Sequence, residues 1–396
     1  MLNQYTPVIL KSGKDQSLKR FHPWVFSGAI KKIKGPVNEG DVVAVYSNKD
    51  EFLGLGHYQV GSITVRVFSF EEKEPDYDFW KEKLQQAYNL RKSLGLTNNP
   101  ETNTFRLLHA EGDGMPGLII DFYNGTAVMQ MHSIGMYLIR EELAKALKEV
   151  MGDELQAIYD KSEKTIPFKS DIEPKDGYLL GESHSNVVVE YGNKFKVDWE
   201  NGQKTGFFID QRENRKLLET YSKDKSVLNM FCYTGGFSFF AMNGGAKLVH
   251  SVDASAKAID LTNENVELNY PGDKRHEAYV TDAFEFLKDI KDKYDLIVLD
   301  PPAFAKHRNA LHQALQGYKR INTRAFEQIK PGGILFTFSC SQVVSKENFR
   351  NAVFSAAAIA GRNVRILHQM TQPGDHPINI FHPEGEYLKG LVLYVE

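Results

Sequence analysis

The residues of this sequence that could do chemistry are three carboxylates and a cysteine, each at the end of a short apolar run. Asp253, Asp282 and Asp300 end runs that are typical of β-strands, and Cys340 follows the run FTFS. In folds that alternate strands and helices, the carboxyl ends of the parallel strands share one edge of the sheet, where ligands bind. We therefore expect these four side chains to lie along one site.

Asp300 opens the motif DPPAF, and Cys340 lies between two serines. The prolines make the loop rigid, and a carboxylate there can hydrogen-bond an amino or ring nitrogen of a planar base. A thiolate beside it has a defined use, because addition of sulfur to carbon 6 of cytosine makes carbon 5 nucleophilic enough to accept a methyl group. A base then removes the carbon 5 proton and the cysteine leaves; the residues do not identify that base. Alternatively, Cys340 is a buried residue that only fills space in the core. We interpret Cys232 as such a packing residue.

The turn NMFCYTGGF distinguishes between two cofactors. A bound dinucleotide favours the spacing G-x-G-x-x-G, which this turn lacks, whereas S-adenosylmethionine has no phosphates to bind. Asp253 is placed to accept from both ribose hydroxyls of this donor, and Asp282 from its adenine amino group, with Ala283 and Phe284 beside the ring. We predict a site for S-adenosylmethionine, with a nicotinamide enzyme as the weaker alternative. The other residues that we assign to the donor from this turn are Asn229, Phe231, Tyr233, Thr234 and Gly235.

The stretch from Ser226 to Asp300 must position these residues, and its alternating strands and helices predict a nucleotide-binding α/β core. The segment NGQKTGFFIDQRENRKLLETY before it predicts a loop and then an amphipathic helix. Asp210, with Glu213 three residues later, has the spacing of a capping box and therefore predicts the N-cap of this helix. Gln211 and Arg212 stand at the helix start, where a ligand could also bind.

The length of 396 residues exceeds what one core usually holds, so we expect three domains. Residues 1–72 predict a β-barrel-like all-β domain, and residues 73–190 predict a central α+β domain of two strands, a helix and two strands. Residues 191–396 predict a Rossmann-like α/β domain whose last segment, HPINIFHPEGEYLKGLVLYVE, supplies two final strands. His376 and His382, both within this segment, are expected in turns rather than as ligands.

The cysteine count and the apolar runs indicate which sites and which cellular compartment to expect. Two cysteines are too few for a disulfide framework or a cysteine-based metal site, and we predict no metal. No apolar run is long enough to span a membrane, and the start MLNQYTPVIL lacks a secretion signal, so we expect a cytoplasmic protein.

The net charge of −3 alone argues against a nucleic-acid partner, but basic residues are unevenly distributed. The first 34 residues are rich in lysine, and the segment after DPPAF carries five basic residues and no acid, which suits contacts with RNA phosphates. An aromatic ring beside the first cluster could stack on a base, although a core position is as good an interpretation. The candidate RNA contacts are Lys19, Arg20, Trp24, Lys306, Arg308, Lys319 and Arg320.

Taken together, the motifs resemble the cytosine-5 methyltransferases of bacterial large-subunit (23S) ribosomal RNA that carry an N-terminal PUA domain, and the resemblance covers essentially the whole chain. FHPWVFSGAI and NEGDVVAVYS look like the PUA domain. KTGFFIDQR, NMFCYTGGFS, DPPAF, TFSCS and DHPINIFHPEGEYLKG look like that family's methyltransferase motifs. The resemblance implies an RNA-binding domain at residues 1–72, a class I methyltransferase fold in residues 191–396, and large-subunit ribosomal RNA as the partner.

By the same resemblance, Asp210, Gln211 and Arg212 border the donor site, Asp253 and Asp282 bind the donor, and Cys340 is the nucleophile. The wider family often has a second cysteine after the first proline of DPP, where this chain has Pro302 and Ala303, so product release must use another group. Related guanine-N7 enzymes share YTG and DPP but have asparagines in place of SCS and lack the PUA domain. Methylation of a guanine nitrogen is therefore the first alternative. A non-catalytic RNA-binding protein that retains the fold is the second, and a homodimer remains open for either.

Overall fold

The computed structural model of the chain describes residues 4–167, 172–182, 185–305 and 307–396. The chain divides into two compact units, each built from three separate segments. The first unit contains Met1–Val188, Val197–Phe207 and Gly374–Gly385. The second unit contains Val189–Lys196, Phe208–Pro373 and Glu386–Glu396. The first two predicted domains therefore fall almost entirely within the first unit.

The N-terminal part of the first unit is a six-stranded sheet with one short helix. Its elements are β1 (Thr6–Leu10), α1 (Gln16–Lys19), β2 (Trp24–Phe26), β3 (Ile30–Ile33), β4 (Val42–Tyr46), β5 (Phe52–Tyr58) and β6 (Ile63–Ser69). The strand order is β2-β6-β5-β4-β1-β3, and β1 and β4 are parallel while the other pairs are antiparallel. The alternation of β-branched residues in these strands buries one aliphatic face, as expected for an all-β domain.

The rest of the first unit is a helix-covered sheet of five strands. Its elements are α2 (Tyr77–Ser93), β7 (Thr104–His109), β8 (Leu118–Tyr123), β9 (Thr126–Met131), α3 (Ile134–Leu138), α4 (Arg140–Met151), β10 (Ala157–Asp160) and β11 (Gly177–Leu180). The strand order is β11-β10-β9-β8-β7. One continuous apolar core contains residues of both sheets, among them Leu55, Phe68, Trp80 and Leu118. This shared core explains why the two sheets form one compact unit.

A two-stranded ribbon, β12 (Val187–Glu190) and β13 (Asn193–Lys196), leads into the second unit. The elements that follow are α5 (Arg212–Tyr221), β14 (Ser226–Met230), α6 (Gly236–Asn243), β15 (Leu248–Asp253), α7 (Ala256–Asn269), β16 (His276–Val280), α8 (Ala283–Phe286), β17 (Leu296–Leu299), α9 (Leu311–Gln328), β18 (Gly333–Ser339), α10 (Lys346–Ala360), β19 (Val364–Met370) and β20 (Lys389–Val395). They form a seven-stranded sheet in the order β16-β15-β14-β17-β18-β20-β19.

Strands β14 to β18 are mutually parallel, and β20 is inserted antiparallel between β18 and β19. The order reverses at β14, so the carboxyl ends of β14, β15, β16, β17 and β18 meet at one edge beside the switch point. This is the α/β core predicted from the alternating apolar runs.

The C-terminal segment differs from the prediction of two final strands. Only Lys389–Val395 of that segment is a strand, and Gly374–Gly385 belongs to the first unit with its last turn at Pro383–Gly385. The prolines and the exposed apolar side chains of that segment explain the difference, because a proline cannot donate a ladder hydrogen bond. None of the helices in the described ranges is both long enough and apolar enough to cross a bilayer.

Candidate active site

The turn after β14 has an alternating backbone conformation. Phe231, Tyr233 and Gly235 have φ angles of 59°, 47° and 83°, whereas the residues between them do not have positive φ. Such alternation turns successive backbone N–H groups towards one concave side, which suits an anionic group. The carboxylate at the amino acid end of S-adenosylmethionine is such a group, so the turn fits the predicted donor.

Close packing around this turn requires glycine at positions 235 and 236. A Cβ atom at Gly235 would lie 2.6 Å from Phe239 and 2.8 Å from Thr262, and one at Gly236 would lie 2.9 Å from Arg215. These distances are shorter than real Cβ contacts, so a side chain at either position would push the turn away from α6 or α5. The glycines therefore set the shape of the concavity.

Asp253 ends β15 and connects that strand end to the turn. Its Oδ2 accepts the N–H of Tyr233 over 3.1 Å, and its Oδ1 accepts the N–H of Ser255 over 2.9 Å. Each carboxylate oxygen can accept a second hydrogen bond. The half-buried carboxylate can therefore hold the turn and still accept from ribose hydroxyls, as its predicted role requires.

Asp282 lies at the end of β16 as predicted, and it also caps a helix. Its Oδ1 accepts the N–H groups of Phe284 and Glu285 over 2.8 and 3.2 Å, so it is the N-cap of α8. Ala283 is buried, and the guanidinium of Arg320 lies 4.7 Å from the centre of the Phe284 ring. The role of Asp282 towards adenine stays a prediction, which now has to coexist with this cap.

Asp300 and Cys340 follow the parallel neighbours β17 and β18, so the predicted pair does lie at the same edge. The Sγ atom of Cys340 lies 3.9 Å from the carbonyl oxygen of Pro301, and the cysteine is half-buried. Next to it, the hydroxyl of Ser341 contacts the hydroxyl of Tyr318 over 2.9 Å and accepts the N–H of Ala305 over 3.4 Å. The serine thus fastens the cysteine loop to the DPP loop.

Two residues at this site were not predicted from the sequence. Lys389, at the start of β20, is 4% exposed and donates from Nζ to the carbonyl oxygens of Ser341 and Tyr387. The hydroxyl of Tyr387 donates to Oδ2 of Asp210 over 2.7 Å. A lysine that opens an otherwise apolar strand, KGLVLYV, was the only signal that could have indicated the first of them.

The prediction that Asp210 caps α5 is wrong. Asp210 lies in the short turn Ile209–Gln211, the N-cap of α5 is Gln211, and no side chain caps that helix. The Asp210 carboxylate instead accepts a hydrogen bond from the hydroxyl of Tyr387. Asp210, Gln211 and Arg212 are 7%, 3% and 2% exposed, so the turn and the first residue of the helix are buried.

An ion pair that the sequence did not indicate fixes this helix. Nε and Nη2 of Arg215 donate to the two carboxylate oxygens of Glu190, each over 2.7 Å, and Nη1 donates to the carbonyl oxygen of Phe208. Both side chains are at least 97% buried, so the pair is screened little by water. It fastens the start of α5 to the ribbon strand β12.

Asn229 is positioned differently from the other turn residues. Its Nδ2 donates to the Ser238 hydroxyl over 2.9 Å, and that hydroxyl contacts Ser251, which contacts Nε2 of His276. Burial lowers the pKa of His276 to about 4, so this chain of polar groups is neutral at pH 7. The side chain of Asn229 therefore faces Ser238 on α6.

Cys232 behaves as the predicted packing residue. It is 5% exposed, and its sulfur lies 3.8 Å from the hydroxyl of Thr262. Burial raises the pKa of the Cys232 thiol to about 12, and the charge of Asp253 acts in the same direction. Its thiol is therefore protonated and unreactive at pH 7.

The candidate RNA contacts differ in how available their side chains are to bind RNA. Lys19 pairs with Asp15 and Glu51, and the Trp24 indole donates to Glu111 over 2.8 Å. The Trp24 ring also packs edge-to-face against the His382 ring, 4.4 Å between centroids, which leaves it less available for stacking on a base. Arg20 is exposed in the first unit. In the second unit, Lys319 and Arg320 line a groove of 590 Å³ along α9, and Arg308 is exposed before that helix. Lys306 lies outside the described residues.

Three side chains of the first unit lie close enough to be considered for a metal: His22, His382 and Glu384. However, Nδ1 of His22 accepts the N–H of Trp24 over 3.2 Å, so Nε2 of the neutral ring carries the proton and donates to Glu384. A metal ligand needs a lone pair on that nitrogen. We therefore assign no metal to this cluster.

The comparisons with known proteins agree with this architecture. Residues 168–376 match the family model of S-adenosylmethionine-dependent methyltransferases, and residues 8–70 match that of the PUA-like domain. A Streptococcus mutans protein described as a SAM-dependent methyltransferase superposes with a TM-score of 0.83, at 23% identity and covering 98% of this chain and 100% of that one. The structure of SMU.776, complexed with SAH, gives a TM-score of 0.85 at the same identity and coverage. Both likenesses concern the fold.

Relatives of higher identity cover the whole chain. Ribosomal RNA large subunit methyltransferase I of Alteromonas mediterranea is 41% identical over 98% of both chains. The protein of the same name from Tolumonas auensis is 41% identical over 98% of this chain and 99% of its own. The chain therefore belongs to the S-adenosylmethionine-dependent methyltransferases that carry an N-terminal PUA-like domain, the family of the proteins named ribosomal RNA large subunit methyltransferase I.

Proposed function

We propose that this enzyme methylates carbon 5 of a cytosine in large-subunit ribosomal RNA, with Cys340 as the covalent nucleophile. The RNA class is supported by the name of the full-length relatives and by the PUA-like domain. The position on the base is supported by one observation above all: the thiol of Cys340 lies against the carbonyl of Pro301 in the DPP loop. A cysteine packed merely as filler does not need that place.

The residues divide the chemistry as follows. The concave turn at residues 231–236 and Asp253 would hold S-adenosylmethionine, which supplies an electrophilic methyl group. The thiolate of Cys340 adds to carbon 6 of the cytosine, and carbon 5 then takes the methyl group. A base removes the carbon 5 proton, the electron pair of that bond re-forms the double bond, and the Cys340 thiolate is expelled. Asp300 hydrogen-bonds the amino edge of the base and thereby orients it and stabilises the adduct.

The thiolate requirement separates this reaction from methylation of a guanine nitrogen. A ring nitrogen carries its own lone pair, so it can accept a methyl group without a covalent adduct. Carbon 5 of cytosine has no such pair. An adduct at Cys340 is therefore the step that only the proposed reaction contains.

The test is to trap that adduct with RNA in which 5-fluorocytosine replaces cytosine, because fluorine at carbon 5 cannot leave as a proton. We expect the full-length enzyme, S-adenosylmethionine and this RNA to form a complex that survives denaturation. Peptide mass spectrometry should place the RNA on Cys340 and leave Cys232 unmodified. The Cys340→Ala variant should form no complex and lose at least about 10³-fold of its methyl transfer.

Two other results would contradict the proposal in different ways. Undiminished transfer by Cys340→Ala, with 7-methylguanosine as the product in nucleoside mass spectrometry, would support the guanine reaction. An enzyme that binds RNA in the presence of S-adenosylmethionine but transfers no methyl group to RNA from a strain lacking the protein would support a non-catalytic role.

A further inference from the structure

Lys389 is a buried lysine at the first position of β20, the strand that pairs with β18. Its Cα pairs with that of Ser339, the residue before Cys340, in the antiparallel ladder of β18 and β20. Its Nζ donates to the carbonyl oxygen of Ser341, the residue after Cys340, over 2.6 Å. A second bond of 2.7 Å goes to the carbonyl oxygen of Tyr387. The lysine therefore reaches both sides of the cysteine along the chain.

No ion pair balances the charge of this lysine within the part of the chain that the structure describes. Among the described residues, both hydrogen bonds of Nζ go to neutral carbonyl groups, and no carboxylate oxygen forms an ion pair with it. The carboxylate of Glu386, whose charge raises the pKa of Lys389, is itself paired with Lys346. A buried ammonium without a counter-ion is costly, and in functional sites it usually serves a negative group that appears during the reaction.

Cys340, which lies between the two residues that Lys389 contacts, can supply such a group as its thiolate. Burial lowers the pKa of Lys389 to about 8, while the charge of the Cys340 thiolate raises it, with smaller contributions from Glu386, which raises it, and Lys346, which lowers it. The interaction is reciprocal, because the ammonium stabilises the thiolate by as much as the thiolate stabilises the ammonium. The same thiolate charge also acts on Tyr318, across the Ser341 contact.

We propose that Lys389 is a positioning residue that keeps Cys340 as a thiolate and holds its loop in place, through the Ser341 carbonyl and the charge of its ammonium group. This rests on the proposed function of Cys340 as nucleophile. The thiol proton is lost to solvent, and at pH 7, below its pKa of about 8, Lys389 is mostly protonated. Since a protonated ammonium has no lone pair, Lys389 does not remove the carbon 5 proton.

The test measures the ionisation of Cys340 directly, without methyl transfer. The rate of alkylation by iodoacetamide is followed from pH 5 to 10 on the full-length protein, with peptide mass spectrometry used to count only Cys340. For the unaltered protein we expect the midpoint to lie below about 8.5, the value of a free cysteine. For Lys389→Met, which keeps the length and removes the charge, we expect it at least one pH unit higher, which slows alkylation at pH 7 about tenfold.

Two further variants make the comparison specific. Lys389→Arg keeps the charge and should keep the midpoint within half a unit of the unaltered protein. Lys330→Met removes a half-buried lysine of the same unit that pairs with Asp295, and it should leave the midpoint unchanged. SAH binding by calorimetry confirms that each variant is folded.

A midpoint at or above 8.5 in the unaltered protein overturns the proposal even when Lys389→Met does not fold. An unchanged midpoint in a folded Lys389→Met protein overturns it as well, because the lysine then only satisfies two carbonyl groups. The proposed function has a separate test, the methyl transfer of Cys340→Ala. If that variant stays active while the midpoint still shifts, the charge pair exists and the covalent mechanism is wrong.

Discussion

The hydroxyl group of Tyr387 donates a hydrogen bond to Oδ2 of Asp210 over 2.7 Å, across 177 positions of the sequence. This bond joins the turn before α5, whose residues are predicted to border the donor, to the segment that leads into Lys389. The two halves of the candidate site are therefore joined by a partly buried contact. It replaces the helix cap that the sequence pattern indicated for Asp210.

Replacing Tyr387 by Phe should remove this hydrogen bond from Asp210, which is 7% exposed. We expect a loss of about 1.5–3 kcal/mol in the free energy of unfolding, since hydrogen bonds to charged groups are worth this much. Urea denaturation followed by circular dichroism measures it. Tyr221→Phe is the control, because its hydroxyl bonds His368 at an exposed site; equal losses in both variants would contradict the importance of burial.

Replacing Asp253 by Ala should weaken the binding of S-adenosylmethionine or SAH at least about tenfold. The variant loses the acceptor for the Tyr233 N–H, and with it the constraint on the concave turn, as well as the predicted ribose contact. Asp253→Asn retains one oxygen acceptor, so its affinity for SAH should lie between those of the unaltered protein and Asp253→Ala. Calorimetric titration with SAH gives the affinities. If Asp253→Ala bound SAH as tightly as the unaltered protein, the donor site would have to lie elsewhere.

Replacing Gly235 by Ala should also impair donor binding, and Gly245 offers a matched control. The two glycines have φ angles of 83° and 84°, so an alanine at either pays the same backbone cost of about 1–2 kcal/mol. Only at Gly235 does the new Cβ collide, at 2.6 Å from Phe239; at Gly245 the nearest atom is 3.8 Å away. We expect SAH affinity to fall only in Gly235→Ala. Equal affinities in the two variants would show that the clash is absorbed without moving the turn.

The stability of the first unit should depend on pH through His57. This ring is 3% exposed beside Phe68 and Trp80, and burial, with a smaller contribution from Arg66, lowers its pKa from 6.5 to about 4. Between these values the unfolded chain binds more protons than the folded one, so the free energy of unfolding rises with pH. The contribution of His57 is complete above pH 6.5 and is lost as the pH falls towards 4, by at most about 1.4 kcal/mol per pH unit.

His57→Phe should therefore flatten the stability profile between pH 4 and 6.5 without abolishing its slope, since burial also lowers the pKa of His132 to about 4. Chemical denaturation at a series of pH values measures the slopes. His312→Gln, an exposed position on α9, is the control and should leave the slope unchanged. A slope that His57→Phe does not alter would mean that this ring titrates as in the unfolded chain.

The sequence indicated the α/β core and the order of its strand-end residues because those features are local. A run of β-branched residues that ends in an acid or a glycine specifies a strand and its terminus by itself. Asp253, Asp300 and Cys340 could be placed at one edge because parallel strands put all their carboxyl ends there. The choice of donor followed from the glycine spacing of one turn. The family model confirms this cofactor, and the family model and the fold comparisons together confirm the fold class.

Contacts between distant segments could not be predicted in the same way. Glu190 and Arg215 are 25 residues apart, and nothing in the composition of either segment specifies the pairing. The prediction that Asp210 caps α5 was wrong because its carboxylate accepts a hydrogen bond from Tyr387, near the far end of the chain. The local capping-box pattern does not contain that partner. Lys389 was overlooked because a lysine in a strand is ordinarily solvated, and its burial depends on the fold of β20 beside β18.

The segment Gly374–Gly385 has a consequence for how the molecule is made. It belongs to the first unit, although it lies just before the last strand of the second. During synthesis the N-terminal sheet therefore emerges long before its final piece, and neither unit is complete until nearly the last residues leave the ribosome. A protein truncated before this segment would lose part of both units at once, so the chain should be expressed and studied only as a whole.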